Sequence, residues 1–384
     1  MPAIAIASPR PVRIAVSNFF FVAGLCFATW ASRIPDIQHH IGLDKAAFGS
    51  VLVALPVGSM VCLPLAGWLV TKLGSRTCLL IGAFIYTTIL CSIGLANTTL
   101  ELVLVLFFFG MAGNFMNISV NTQAVGVEYI YQRSIMASFH GLWSLGGFTG
   151  AAIGLLMMFF HLSPFYHFLI VASSIIIAVL IFFPYTLNND NHGKEHEQFL
   201  FRWANVKAIL GLGIVAFCCM GCEGCMFDWS GIYFRDVVHA PANLITVGYT
   251  TFMATMATGR FVADSMIMKL GTIKVLRLSG CLITSGLLIS VFFPNFYTAA
   301  FGFFLTGFGV SSVVPLTYGL AGKSKNIAAG IAITLVSSVG FIGFVFGPPL
   351  IGYIASALSL QWSFGLMAII GFGTVIMASK AKIA

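Results

Sequence analysis

Long apolar segments, separated by short polar connections, run along almost the whole chain. A helix that spans a membrane needs about 20 mainly apolar residues. Segments that meet this requirement predict transmembrane helices at residues 14–32, 47–70, 77–96, 100–125, 135–159, 165–184, 205–233, 244–268, 275–293, 297–320, 327–355 and 362–379. The pattern therefore predicts an all-α membrane protein with twelve transmembrane helices.

One connection is longer and more polar than the others. It runs from Tyr185 to Gln198, between the sixth and seventh predicted helices, and divides the chain into two sets of six helices. We predict an N-terminal six-helix bundle at 1–184, a cytoplasmic central loop at 185–204 and a C-terminal six-helix bundle at 205–384. The two bundles are expected to be pseudo-symmetric.

The composition argues against most other classes of protein. Only 8% of the 384 residues are charged, whereas soluble domains have about 25%. The 19 Lys and Arg residues stand singly between apolar runs, which argues against a nucleic-acid-binding surface. Nearly all of the nine Cys residues lie within apolar segments. Cys behaves there as a small hydrophobic residue, so no disulfide framework is predicted.

The distribution of basic residues predicts the orientation, because short cytoplasmic loops carry an excess of Lys and Arg. With the N-terminus inside, only Arg33, Lys45 and Arg235 are left outside. The inner set is Arg10, Arg13, Lys72, Arg76, Arg133, Lys194, Arg202, Lys207, Arg260, Lys269, Lys274, Arg277, Lys323, Lys325, Lys380 and Lys382. Both termini are therefore predicted to be cytoplasmic, in a multi-pass protein of a bacterial inner membrane.

The two halves of the chain repeat each other weakly. Trp30 and Trp229 are 199 residues apart, and Gly74 and Gly271, which each follow Lys-Leu, are 197 apart. Two further pairs have nearly the same offset: Gly49 with Gly248, and Gly110 with Gly307. A parallel repeat of six helices is typical of duplicated transporters.

The connection after the second predicted helix carries a motif. Residues 67–76 read Gly-Trp-Leu-Val-Thr-Lys-Leu-Gly-Ser-Arg and resemble the Gly-x-x-x-Asp-x-x-Gly-x-Arg signature of the major facilitator superfamily, with Thr71 in place of the Asp. A second copy includes Arg260 and keeps an acid at Asp264. The resemblance implies an inner gate that involves Arg76, Arg260 and Asp264, weaker in the first half because Thr71 carries no charge.

Three further motifs narrow this resemblance. Residues 30–35 (Trp-Ala-Ser-Arg-Ile-Pro), 140–147 (His-Gly-Leu-Trp-Ser-Leu-Gly-Gly) and 223–230 (Glu-Gly-Cys-Met-Phe-Asp-Trp-Ser) resemble the bacterial MosC/YbjJ-like branch, which is related to fucose permease. The resemblance covers essentially the whole chain. It implies twelve helices, a central cavity between two bundles, alternating access and proton coupling.

The seventh predicted helix contains two acids deep inside apolar sequence, Glu223 and Asp228. An acid at mid-helix costs about 2.5–3.5 kcal/mol on insertion scales, so it usually has a function. A carboxyl group in apolar surroundings holds a proton more readily than one in water, as a proton carrier must. We predict that Glu223 and Asp228 are the proton-coupling acids. Arg235 lies on the face of Asp228 and could pair with it as a gate or bind substrate; interhelical hydrogen bonding is the alternative role of both acids.

The first, fourth, fifth and seventh predicted helices offer polar and aromatic groups for substrate binding. Asn114, Asn117 and Asn121 share one face of the fourth helix; amide pairing between helices is the alternative. Fucose permease resembles this region but has a carboxylate where this chain has Asn117. The other predicted substrate-binding residues are Asn18, His140, Trp143 and Trp229, with Arg235.

The outer end of the first predicted helix carries Arg33 and Asp36, three residues apart. We predict a gating pair; the alternative is a rim pair that faces water and stabilises little. On the inner side, Arg260 and Asp264 are spaced i, i+4 and could pair directly.

Several kinds of chemistry are not predicted. Cys218, Cys219, Cys222 and Cys225 could suggest a metal site, but packing is the favoured role, so no metal or cofactor is expected. The chain has no Gly-x-x-x-x-Gly-Lys-Ser/Thr motif and no hydrolase motif, so we predict that it is not an enzyme.

These features together predict a secondary active transporter that moves a small polar solute by alternating access with proton coupling. A sugar-like molecule is one candidate solute. The expected partners are the solute, protons and the lipid bilayer, with no nucleic acid, and the protein is expected to act as a monomer. Two alternatives stay open: a proton-antiport exporter of amphiphilic drugs or metabolites, and a membrane receptor or sensor that does not transport.

Overall fold

The computed structural model describes residues 9–131, 135–188, 203–322 and 329–380. Within these ranges the chain forms fourteen α-helices, two short 3-10 turns and no strand. The helices are α1 (Pro9–Ser32), α2 (Ile34–Ile41), α3 (Lys45–Leu52), α4 (Ala54–Leu73), α5 (Ser75–Ile93), α6 (Thr99–Tyr131), α7 (Met136–Phe159), α8 (Pro164–Phe182), α9 (Trp203–Asp236), α10 (Val247–Leu270), α11 (Thr272–Phe292), α12 (Phe296–Gly322), α13 (Ala329–Ala357) and α14 (Leu360–Lys380).

The predicted fold class is confirmed, because every predicted transmembrane helix coincides with observed helical structure. Eleven described segments are long and apolar enough to cross a membrane. Helix α10 has 24 residues, about 36 Å, which also suffices for a hydrocarbon core of about 30 Å. The second predicted helix is observed as α3 and α4, with a break at Val53.

Helix α2 was not predicted. Its eight residues are too few to span a bilayer, so a search for long apolar runs overlooks it. The helix buries Ile34, Pro35, Ile37 and Gln38 and carries Asp36 in its first turn.

Two single-residue connections occur at equivalent places in the repeat. Gly74 joins α4 to α5 with φ 81°, and Gly271 joins α10 to α11 with φ 80°. A positive φ is readily adopted by glycine because it has no Cβ. The Lys-Leu-Gly repeat in the sequence therefore corresponds to one kind of tight turn used twice.

The chain forms two compact units. The first comprises Met1–Ile41 and Ala54–Gly193, and the second comprises Gly42–Val53 and Lys194–Ala384. The short segment Gly42–Val53 contains α3 and therefore groups with the helices of the second half. Only part of the predicted central loop is described, since residues 189–202 lie outside the ranges given above.

Helices α1 and α7 pack closely in the first unit. A Cβ added at Gly24 would lie 2.0 Å from the carbonyl oxygen of Trp143, and one at Gly146 would lie 2.0 Å from that of Phe21. The two backbones can approach this closely only because both positions are glycine.

Helix α3 packs on α13 in the second unit, and Gly49 approaches Gly352 at this contact. Helix α9 is the most deeply buried helix of this unit, with Trp229, Tyr233 and Phe234 fully enclosed. The polar groups of α9 therefore lie among packed helices, which sets the surroundings of the candidate site.

Candidate functional site

Glu223 on α9 forms an ion pair with Arg260 on α10 in the interior of the second unit. The distance from Glu223 Oε1 to Arg260 Nη2 is 3.8 Å, and the two side chains are 9% and 16% exposed. A close charge-assisted N–O contact is about 2.7–2.9 Å long, so this pair is loose. Sequence spacing could reveal partners within one helix only, and it therefore missed this contact between two helices.

Arg260 has a contact that the sequence did not predict. The spacing predicted that Arg260 would pair with Asp264 on the inner side, and this pairing stays a prediction; the structure also places Arg260 beside Glu223. The side chain of Asp264 lies outside the part of the chain that the structure describes. Arg260 therefore contributes to the same cluster as a predicted proton-coupling acid.

Two further groups interact with the ion pair, and neither was predicted to do so. Tyr318 on α12 interacts electrostatically with Glu223 and is hydrogen-bonded to Ser337 on α13. Cys219, one turn before Glu223 on α9, interacts with both charged groups, and its thiol contacts the carbonyl oxygen of Val310 at 3.7 Å. A Tyr or Ser in an apolar helix is a weak signal in sequence, because both residues also serve helix packing.

Asp228 lies five residues after Glu223 and about 140° around the helix. It is half-buried and makes no ion pair or hydrogen bond with any other described residue. The nearby Tyr249 on α10 is 1% exposed and interacts electrostatically with Asp228 and Glu223. The Tyr249 hydroxyl has no hydrogen-bond partner among the described residues. Tyr249 thus adds an unpredicted polar group beside the second acid.

The predicted pair of Asp228 with Arg235 is wrong. Arg235 Nε instead lies 2.7 Å from Asp236 Oδ1, and Lys45 Nζ lies 3.1 Å from Asp236 Oδ2. Asp228 is two helical turns away from Arg235, about 10.5 Å along the axis, whereas Asp236 is adjacent. Arg235 and Asp236 at the end of α9 form a separate cluster with Lys45 of α3.

Trp229 does not offer its ring to a substrate in this structure. The residue is 0% exposed, and its ring packs edge-to-face on Phe48 of α3 with centroids 6.0 Å apart. The prediction that Trp229 binds substrate is therefore corrected: Trp229 helps to attach α3 to α9.

The predicted polar face of α6 makes mostly local contacts. Asn114 Nδ2 donates to the carbonyl oxygen of Ser59 on α4 at 2.5 Å, which joins two helices. Asn121 Nδ2 donates to the carbonyl oxygen of Asn117 at 2.8 Å and also contacts the Asn117 side chain. Asn114 thus joins two helices, as the alternative role predicted, whereas the Asn117 side chain is exposed.

Two predicted binding residues of α7, His140 and Trp143, lie against α1. The His140 ring packs edge-to-face on Phe20 at 5.4 Å, and the Trp143 ring lies 6.1 Å from that of Phe27. Both are half-buried. On α1, Asn18 keeps a buried amide nitrogen without a hydrogen-bond partner among the described residues.

Arg33 and Asp36 do pair, with Nη1 and Oδ2 at 2.6 Å. Arg33 is 2% exposed, so this is not a water-facing rim pair. Its Nε donates to His167 Nδ1 at 3.2 Å, and its Nη2 also contacts the carbonyl oxygen of Leu162. Burial lowers the pKa of the Arg33 guanidinium, and the charge of Asp36 opposes that shift. His167, which was not predicted, completes this cluster.

The predicted gating residue Arg76 holds the end of α8. Its guanidinium lies 4.8 Å from the centroid of the Phe183 ring and contacts the carbonyl oxygen of Pro184 at 3.5 Å.

Gln123 on α6, which was not predicted, is fully buried and also contacts the chain that follows α8. Its side chain donates to Ser75 Oγ at 2.7 Å and accepts from the backbone N–H of Leu187 at 2.8 Å.

The cysteines of α9 pack against neighbouring helices. Cys218, Cys219, Cys222 and Cys225 are all buried, and the Cys222 thiol contacts the carbonyl oxygen of Met367 at 3.3 Å. Within the described ranges, no three His, Cys, Asp or Glu side chains are arranged to hold a metal ion.

Comparison with known proteins extends these observations. The model of the Major Facilitator Superfamily matches residues 16–256 and 230–381. An uncharacterised MFS-type transporter of Yersinia pestis is 32% identical over 352 residues, which are 91% of this chain and 91% of that protein. Membrane protein MosC of Rhizobium meliloti is 29% identical over 370 residues, 95% of this chain and 88% of that protein. The solved structure of the nucleoside transporter NupG shares the fold, with a TM-score of 0.73, 14% identity and coverage of 95% and 98%.

Proposed function

Because the chain belongs to the Major Facilitator Superfamily and is a transporter rather than an enzyme, we propose that it moves a small polar solute by proton-coupled secondary transport. The superfamily and the MosC-like branch are those that the sequence motifs predicted. We place the protein in the bacterial inner membrane as a monomer with both termini in the cytoplasm, in line with the excess of basic residues in the inner connections.

The loose ion pair of Glu223 and Arg260 is the observation that supports proton coupling best. Both groups are enclosed among apolar helices, and a buried charge that loses its partner is strongly destabilising. The proton on Glu223 is therefore linked to the charge balance around Arg260. A proton that binds to Glu223 changes what Arg260 can bind, and this link is the basis of coupling between ion and solute.

Asp228 is the second proton-coupling candidate. It lacks an ion-pair partner among the described residues and is half-buried, so water can reach it more easily than Glu223. We propose that Glu223 carries the coupled proton and that Asp228, beside Tyr249, is the group through which the proton arrives or leaves.

The proposed solute is small and polar, because the polar groups of the first unit that the sequence predicted for binding are amides and rings. Asn18 has a buried amide nitrogen without a hydrogen-bond partner among the described residues, Asn117 has an exposed amide, and His140 and Trp143 have half-buried rings. The nucleosides in the name of NupG are small polar solutes of this kind, although the low identity supports the shared fold alone.

Proton-driven flux in proteoliposomes tests the proposal. Vesicles containing the purified protein and an internal pH-sensitive dye receive sugars, sugar acids and nucleosides one at a time, with and without an imposed pH gradient. Accumulation driven by an acidic exterior supports symport, and its reversal supports antiport export. Binding without flux in either direction would reject transport in favour of a sensor.

Variants of Glu223 test whether this residue carries the coupled proton. Glu223→Gln cannot exchange a proton and is expected to abolish pH-driven flux, whereas Glu223→Asp retains a carboxyl group and is expected to keep part of it. If Glu223→Gln leaves pH-driven flux intact, Glu223 is not the coupling acid. Arg277→Gln serves as a control, because it removes an exposed charge on α11.

A further inference from the structure

We propose that the end of α4 binds the headgroup of an anionic phospholipid, with the Lys72 ammonium on the lipid phosphate and the Trp68 ring beside it. The site uses none of the residues assigned above to the proton or the solute. The inference needs only that the protein spans a membrane, so it does not depend on the proposed function.

The first argument is an exposed stripe along α4. Val61, Leu65, Trp68 and Lys72 are spaced i, i+4, i+7 and i+11, which places them on one face of the helix. The first three are 51%, 43% and 56% exposed, and Lys72 is exposed as well. The opposite side of α4 packs on α6. No described part of the chain covers the stripe, and its apolar part suits the acyl chains of a lipid.

The second argument is the order of side chains along this stripe. Toward the end of α4 they change from aliphatic to aromatic to cationic. Trp is enriched where the hydrocarbon core meets the headgroups, and a Lys near the end of a spanning helix extends its ammonium toward the headgroups. Leu65 and Lys72 are seven residues apart, about 10.5 Å along the helix axis. The stripe therefore reaches from the acyl chains to the phosphate of one lipid.

The third argument is the contact between Lys72 and Trp68. Lys72 Nζ lies 4.8 Å from the centroid of the Trp68 ring, which is a cation–π contact. The ring thus holds the ammonium on the stripe. An ammonium has three N–H donors, and Lys72 forms no ion pair with any described residue. Its donors can therefore bind a phosphate that lies beside the ring.

The fourth argument is the charge at this end of the helix. Thr71 carries no charge, and its hydroxyl donates to the carbonyl oxygen of Gly67 at 2.9 Å. Residues 61–78 contain two cations, Lys72 and Arg76, and no acid. This local excess of positive charge favours an anionic lipid over a zwitterionic one.

The second half of the chain provides an internal comparison. Lys269 lies 197 residues after Lys72 and precedes the same kind of glycine turn. It is exposed, but the position equivalent to Trp68 is Ser265, which has no ring. Lys269 is therefore a matched control for an exposed cation without the indole.

Quenching of Trp68 fluorescence by brominated lipid tests the inference on the purified full-length protein. Vesicles of phosphatidylcholine carry a fixed share of lipid that is brominated near the glycerol end of its acyl chains, either phosphatidylglycerol or phosphatidylcholine. Subtraction of the signal of Trp68→Phe isolates the contribution of Trp68. We expect phosphatidylglycerol to quench more strongly, with an affinity about fivefold that of phosphatidylcholine.

Three variants identify the group that causes this preference. Lys72→Gln should bring the affinity ratio of the two lipids close to one, and Lys72→Arg, which keeps the charge, should preserve most of it. Lys269→Gln should leave the ratio unchanged. Both lysines are exposed, so these variants are expected to fold.

Equal quenching of Trp68 by the two lipids in the wild type would overturn the inference, as would a preference that persists in Lys72→Gln. An equal fall of the ratio in Lys269→Gln would also overturn it, because the preference would then reflect the net charge of the protein. If inorganic phosphate at constant ionic strength abolishes the preference, the site binds a free anion and not a lipid.

Discussion

Lys45 on α3 forms an ion pair with Asp236 at the last residue of α9, with Nζ and Oδ2 3.1 Å apart. Asp236 also accepts from Arg235 at 2.7 Å, so one carboxylate serves two cations. The pair links α3 to the rest of the second unit, close to the packing of Phe48 on Trp229. It is half-buried, which makes its contribution larger than that of a fully exposed pair.

Lys45→Ala is therefore expected to lower the free energy of unfolding by about 0.5–1 kcal/mol, measured by reversible unfolding in mixed micelles. The exchange Lys45→Asp with Asp236→Lys should recover part of the loss, although Arg235 then faces a cation. Lys269→Ala, at an exposed position outside any described ion pair, is the control. Equal effects of Lys45→Ala and Lys269→Ala would contradict a stabilising pair.

Gly24→Ala is expected to disrupt the contact between α1 and α7. The new Cβ would lie 2.0 Å from the carbonyl oxygen of Trp143, and backbone cannot move aside as a flexible side chain can. Overpacking of this kind costs about 1–3 kcal/mol or more. Gly365→Ala on α14 meets nothing within 4 Å and should be neutral or slightly stabilising. The measurement is the Tm of both variants in detergent. An unchanged Tm for Gly24→Ala would show that α1 and α7 are not packed this closely.

His167→Leu tests the cluster around Arg33. The substitution removes the acceptor of Arg33 Nε and leaves a buried charged donor without that hydrogen bond, at a cost of about 1–3 kcal/mol. His167→Gln offers a side-chain oxygen as an acceptor and should recover part of the loss. The measurement is the free energy of unfolding of each variant. If Leu and Gln at this position are equally stable, the hydrogen bond contributes nothing.

Gln123→Leu should release the chain after α8. The Gln123 side chain holds the backbone N–H of Leu187 and the Ser75 hydroxyl, and Leu can bond to neither. Limited proteolysis in the segment that follows Leu187 is expected to be faster in the variant than in the wild type. Thr88→Ala, on an exposed face of α5, is a control for general loss of stability. Unchanged cleavage after Gln123→Leu would show that other contacts hold this segment.

Tyr249→Phe separates stability from proton movement. The Tyr249 hydroxyl is buried without a hydrogen-bond partner among the described residues, so its removal should leave stability unchanged or raise it by about 1 kcal/mol. If the hydroxyl assists proton exchange at Asp228, pH-driven flux in proteoliposomes should become slower. A clear loss of stability would indicate that the hydroxyl has a structural hydrogen bond, and unchanged flux would exclude it from the proton path.

Some residues of the candidate site could be identified from the sequence because burying them is costly. Glu223 and Asp228 stand out as acids in an apolar helix, and Arg33 and Asp36 are spaced for a contact within one turn. Arg235 shows the limit of this reasoning. It shares a helical face with Asp228, but the adjacent Asp236 competes for it, and Asp236 is itself held by Lys45 from another helix.

The sequence by itself determined the twelve transmembrane helices and the family, because apolar length and motif residues can be read along the chain. Only the tertiary structure decided which helix faces which. It brought Arg260 to Glu223 although 37 positions separate them, enclosed Trp229 beneath Phe48, and joined His167 to Arg33. These contacts depend on helix packing in three dimensions, and the spacing of residues along one helix carries no information about its neighbours.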